Sequence, residues 1–95
     1  SYSIAPVDDL HPQYIGIDSS DAEVTVYLPT TSDNGMELGR IYHILDYKGY
    51  ASQYPITIDA GTGTINGSQT VLINSNYTSL TLLCTESNPI RWNIV

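Results

Sequence analysis

Apolar and polar residues alternate with a period of two along most of this chain. Residues 22–28 are the clearest case. Ala22, Val24, Val26 and Leu28 fall on one side, and Glu23, Thr25 and Tyr27 on the other. That is the pattern of a strand with one buried face. Pro29 ends it, because proline brings no N–H to a ladder. Residues 40–47 alternate as well, with Ile41, His43 and Leu45 or Tyr47 opposite Tyr42, Ile44 and Asp46. Both of these faces are partly apolar, which predicts a central strand. Residues 77–84 set Leu80, Leu82 and Cys84 against Ser79, Thr81 and Leu83. Further strands are predicted at 14–18, 55–59, 64–68, 70–75 and 90–95. Turn chemistry separates them: Ser19-Ser20-Asp21, Thr31-Ser32-Asp33-Asn34-Gly35, Lys48-Gly49, Ala60-Gly61-Thr62-Gly63 and Asn74-Ser75-Asn76. No window carries the i, i+3, i+4, i+7 stripe of a helix.

About eight short strands at intervals of roughly eight to twelve residues predict an all-β fold, a small β-sandwich or jelly-roll-like domain. Residues 1–21 form an N-terminal arm and first strand leading into the domain, and residues 22–95 form the domain proper. Ser1-Tyr2 at the start fits a module cut from a longer chain. At 95 residues the domain buries only roughly 60–65% of its unfolded surface. A core that thin gains from association. The strands at 40–47 and 77–84 have apolar residues on both faces, which a symmetric oligomer would cover.

Charge narrows the function. The net charge is −7, with Arg40, Lys48 and Arg91 as the basic residues. A phosphate-binding surface needs clustered Lys and Arg, so no nucleic-acid partner is expected. A polybasic route to an anionic membrane fails in the same way. No apolar run is long enough for a membrane-spanning helix, so no membrane insertion is expected. Cys84, the single cysteine, sits on the apolar face of its strand and reads as a buried, inert thiol. His11 and His43 have no sequence neighbours that would make a catalytic or metal constellation. The turn carboxylates Asp18, Asp21, Asp33 and Asp59 do not follow Ca²⁺-loop spacing and bond their own backbone in most turns. No catalytic residue, metal or cofactor is expected, and the chain does not read as an enzyme. Asn66-Gly67-Ser68 and Asn76-Tyr77-Thr78 match the glycosylation pattern, as chance allows in a chain rich in Asn, Ser and Thr.

Tyrosine is the informative residue. Phe is absent and Tyr occurs eight times. Tyr42, Tyr47, Tyr50 and Tyr54 crowd around one turn. Tyrosine offers flat contact area with a polar tip, which suits recognition of sugars or proteins. The same residues could instead fill the core in place of Phe.

The order of short motifs carries a resemblance. Val24-Thr25-Val26-Tyr27-Leu28-Pro29 comes first, followed by Gly39-Arg40-Ile41-Tyr42-His43-Ile44-Leu45-Asp46 and Pro55-Ile56-Thr57-Ile58. Then come Gly63-Thr64-Ile65-Asn66-Gly67, Val71-Leu72-Ile73-Asn74, Ser79-Leu80-Thr81-Leu82 and a terminal Trp92. This series resembles a β-structured module of bacteriophage fibre, spike and other virion-appendage proteins, over residues 22–95. The chain departs from it at Leu45, where the family has Lys, and at Ser87-Asn88-Pro89-Ile90-Arg91, where it has Gly-Thr-Asn. The resemblance implies a homotrimeric β appendage, extracellular on a virion, with other virion proteins and the host surface as partners. It implies no catalytic residues, and gives Trp92 the task of closing the core.

The expected function is host attachment by non-covalent, multivalent binding to a cell-surface glycan or protein. Tyr47, Tyr50 and Tyr54 are the expected contacts, with His43 and Asp46 nearby. Two alternatives stand beside it: a capsid-decoration or trimerisation cap without receptor binding, and a carbohydrate-binding module of a larger enzyme.

Overall fold

A computed structural model describes residues 1–4, 11–30 and 38–95. The 31–35 loop and the Asp8-Asp9 pair of the arm lie outside the described residues. The rest is all-β. Among the described residues nine strands run β1 (Tyr2–Ser3), β2 (Gln13–Ile17), β3 (Val24–Tyr27), β4 (Ile41–Asp46), β5 (Ile56–Asp59), β6 (Thr64–Ile65), β7 (Thr70–Ile73), β8 (Ser79–Ser87) and β9 (Ile90–Ile94).

The strands form two mixed sheets, β1-β3-β5-β7 and β2-β4-β8-β9-β6. From β1 to β8 the chain changes sheet at every step. Strands two apart in sequence therefore become neighbours, and β1–β3, β3–β5 and β2–β4 pair in parallel. Parallel neighbours need a crossover between them, and here the strand in the opposite sheet is that crossover. Among the described strands only β8 and β9 are joined as a hairpin, through the cis Asn88–Pro89 bond.

Alternation dictates which side chains go in. Val26, Ile56, Ile58 and Ile73 from one sheet meet Ile17, Tyr42, Ile44, Ile65, Leu82, Cys84, Ile90 and Trp92 from the other in one buried cluster. Ile4 joins it, beyond β1, where its N–H continues the ladder onto the Tyr27 carbonyl. The strands of the predicted arm are thus edge members of both sheets. Trp92 is buried and lies 5.4 Å from the Tyr42 ring, tilted by 36°. The Cys84 thiol is buried and donates to the Glu86 carbonyl.

Tyrosine does not replace phenylalanine inside. Tyr42 is fully buried, but Tyr2, Tyr14, Tyr27, Tyr47, Tyr50 and Tyr77 are exposed. Isoleucine and Trp92 fill the core instead. Tyr77 also leaves the strand predicted for it. It sits in the turn before β8 with φ of 61°, and its N–H goes to a side chain rather than to a ladder.

Candidate functional site

The expected contact residues gather where β4 ends. His43 and Leu45 lie on the outer face of β4, and Asp46 on the inner face. Tyr47, Lys48, Gly49 and Tyr50 then lead into a turn whose Tyr50 carbonyl accepts the N–H groups of Gln53 and Tyr54. Tyr47 and Tyr50 are exposed and Tyr54 is half-buried.

Asp46 has a different place from its neighbours. Its side chain is completely buried. One carboxylate oxygen accepts N–H groups from Gly49 at 3.0 Å and Tyr50 at 3.4 Å. The other accepts from Ala51 at 3.0 Å and Tyr77 at 3.1 Å. Burial by itself pushes this carboxyl's pKa up, but the four N–H donors outweigh it and hold the group below the ordinary carboxylate value. Asp46 therefore assembles the surface from beneath it. It folds the 47–51 turn around itself and ties it to the 74–78 turn. A second tie runs from Ser52 N–H to the Asn76 side chain at 2.9 Å. Together they bring exposed Tyr77 beside Gly49, where any β-carbon would overlap the tyrosine ring.

The outer face of the five-stranded sheet continues from this turn. Gly16, Leu45 and Ser79 form one cross-strand row, and Tyr14, His43 and Thr81 the next. Tyr14 stacks on His43 with centroids 4.4 Å apart and planes within 10°. His43 Nδ1 shares a 2.8 Å hydrogen bond with Thr81 Oγ1. Gly16 has no side chain, and the Tyr47 ring takes up the space where its β-carbon would stand; beside that ring the face dips. The dip holds about 220 Å³ and is lined by Tyr14, Ile15, Gly16, His43, Leu45 and Ser79. Tyr47 packs its ring against Gly16, so the depression adjoins the tyrosine turn.

Charge is scarce here. Lys48 Nζ lies 5.6 Å from the centroid of the Tyr47 ring, within cation–π range. Asp18, at the end of β2, accepts from the Ser20 hydroxyl and N–H, and these bonds, with Lys48 nearby, hold its pKa low. Arg40 is buried, and Arg91 pairs with Glu86 at 3.4 Å on exposed surface. Among the described residues, none that lines the depression is charged.

Of the expected set, the structure places Tyr47 and Tyr50 at the surface, His43 and Tyr54 partly so, and Asp46 beneath it. Tyr14, Gly16, Ser79 and Tyr77 join the site without having been anticipated. Alternation around Ile15 and Ile17 turns Tyr14 outward, but only the parallel register of β2 on β4 sets it against His43.

No family model matches the chain, and no curated protein matches it.

Proposed function

We propose that this domain is the tip of a virion fibre or spike, a small β-sandwich acting as a homotrimer that attaches a particle to a host-surface glycan or protein, of which the aromatic surface favours the glycan. It works extracellularly, by non-covalent binding, with no chemistry of its own and no cofactor. The observation that carries the reading is the aromatic surface. Tyr47, Tyr50 and Tyr77 stand exposed at the end of β4, continuous with Tyr14 and His43 on the outer sheet face. Rigid, amphipathic rings suit recognition at low ordering cost. The resemblance of the motif series to phage appendage modules is what suggests the virion setting. Three weak sites on one particle would act together on a dense surface without any new contact.

A capping role in a longer fibre is favoured by a different feature. β1 and β2 each end a sheet, and the edge of a sheet is a template for a further strand.

The test is direct. Light scattering on a sizing column gives the mass, and fluorescently labelled protein is incubated with a panel of bacterial cells. A trimer that decorates some cells, and loses adhesion when Tyr47, Tyr50 and Tyr54 become Ala without spectral change, is the expected result. A stable trimer that decorates none favours the cap. A monomer that binds no cell refutes both.

A further inference from the structure

We infer that the depression over Gly16 is a subsite for one uncharged pyranose ring, an inference that rests on the attachment reading and narrows it. The residues that carry it are Tyr14, His43, Leu45 and Ser79, on three neighbouring strands.

Size comes first. At about 220 Å³ the depression is smaller than the roughly 300–1,000 Å³ of sites for drug-sized ligands. It takes a single ring. Chemistry comes second. Its walls are mostly apolar, with two polar handles, the Ser79 hydroxyl and the His43 ring. The handles sit on the cross-strand rows that meet at the dip. A sugar has the matching character, with apolar C–H faces and a rim of hydroxyls. A wholly apolar ligand would leave the Ser79 hydroxyl and the His43 nitrogen that does not bond Thr81 unmatched.

Charge comes third. Among the described residues no Asp, Glu, Lys or Arg lines the depression, and the chain carries −7. A uronate, a sialic acid or a nucleotide would meet repulsion and find no cation in the lining to offset it. Order comes last. Tyr14 is 80% exposed, yet its ring is held by the stack on His43, which Thr81 fixes in turn. The platform exists before a ligand arrives, so little ordering entropy remains to be lost on binding. A ligand of this size binds a single site at about millimolar strength.

The test uses the intact chain and methyl glycosides of glucose, galactose and mannose, with methyl glucuronide as the anionic comparison. Saturation-transfer NMR reads binding, and amide shifts read its position. The expected result is transfer to at least one neutral glycoside and none to the glucuronide. Shifts should centre on Tyr14, His43, Leu45 and Ser79. Tyr14→Ala should weaken binding by roughly three- to tenfold. Tyr14→Phe should retain it, and Leu72→Ala, on the other sheet, should change nothing. Absence of neutral-sugar binding, equal binding of the glucuronide, shifts centred elsewhere, or full affinity in folded Tyr14→Ala would each overturn the inference. The cell-adhesion assay separates the two proposals. Tyrosine-dependent adhesion without sugar in the depression defeats only the subsite. Sugar in the depression without adhesion to any cell defeats only the attachment reading.

Discussion

Replacing Asp46 with Asn tests the physical account of the tyrosine turn. The change keeps shape and removes charge. In the native protein each carboxylate oxygen accepts two backbone N–H groups. Asparagine keeps one such oxygen. Its NH₂ then faces two N–H donors that it cannot satisfy. A hydrogen bond to a charged group contributes about 1.5–3 kcal/mol net. Two such bonds are lost, one of the four being long at 3.4 Å, and the losses are not additive. A destabilisation of about 3 kcal/mol follows. For a domain of this size the melting midpoint should fall by roughly 12–24 °C.

The pH dependence checks the cause. The folded-state pKa of Asp46 is depressed, so its contribution is fully present above the unfolded value of about 3.9. It is lost as pH falls through the lower folded value. A protonated Asp46 has one acceptor oxygen and one donor group, much like the asparagine side chain of the Asp46→Asn variant. Urea unfolding of both proteins at fixed concentration should therefore give a constant gap above about pH 5 and a closing gap below about pH 4. All other carboxylates titrate in both proteins and cancel in the difference. A gap under about 1 kcal/mol at pH 7 would refute the reasoning. So would a gap that persists undiminished at about pH 3.

Three further outcomes can be read by the same denaturation assay. Trp92→Ala should cost about 3–5 kcal/mol. Trp92→Phe should cost clearly less, because it leaves a smaller cavity and the buried indole N–H, which has no acceptor among the described residues, leaves with the ring it belongs to. Gly49 and Gly67 both have positive φ, 81° and 86°, but a β-carbon at Gly67 meets open space while one at Gly49 overlaps Tyr77. Gly67→Ala should cost about 1–2 kcal/mol, and Gly49→Ala clearly more. On β7, Ile73 is buried and Leu72 is exposed. Ile73→Ala should cost about 2–5 kcal/mol and Leu72→Ala under about 0.5 kcal/mol. Equal costs within either pair would contradict the facing assigned here.

Face assignment was legible from sequence because it depends on neighbours two residues apart. Val26 and Leu28 turn inward and Tyr27 outward as alternation requires, but Ala22, expected on the same inner face, is exposed ahead of β3, and Val24 and Thr25 are both half-buried. Leu80, Leu82 and Cys84 turn inward on β8. Pairing was not legible. The register that sets Tyr14 on His43 joins segments with a whole strand of the other sheet between them, and no local signal marks a parallel partner. The depression followed pairing and was lost with it. Asp46 was legible in principle. It precedes the Tyr47-Lys48-Gly49 turn, and an aspartate there commonly bonds the backbone ahead of it. Its four bonds are that preference extended, which the expectation of Asp46 near the tyrosine contacts did not include.

The passage of the chain from one sheet to the other at each step has a consequence for how the domain forms. An adjacent pair of strands normally gives an early hairpin, cheap in loop entropy. Among the described strands only β8 and β9 offer one. β8 is also the strand that joins β4 to β9 within the larger sheet. Both strands lie at the C-terminal side of the domain. The expectation is a domain that nucleates at these strands and closes onto them from the N-terminal side. Substitutions at Leu82 should then slow refolding, while those at Val26 should mainly speed unfolding. The opposite assignment in stopped-flow kinetics would place the nucleus at the other end.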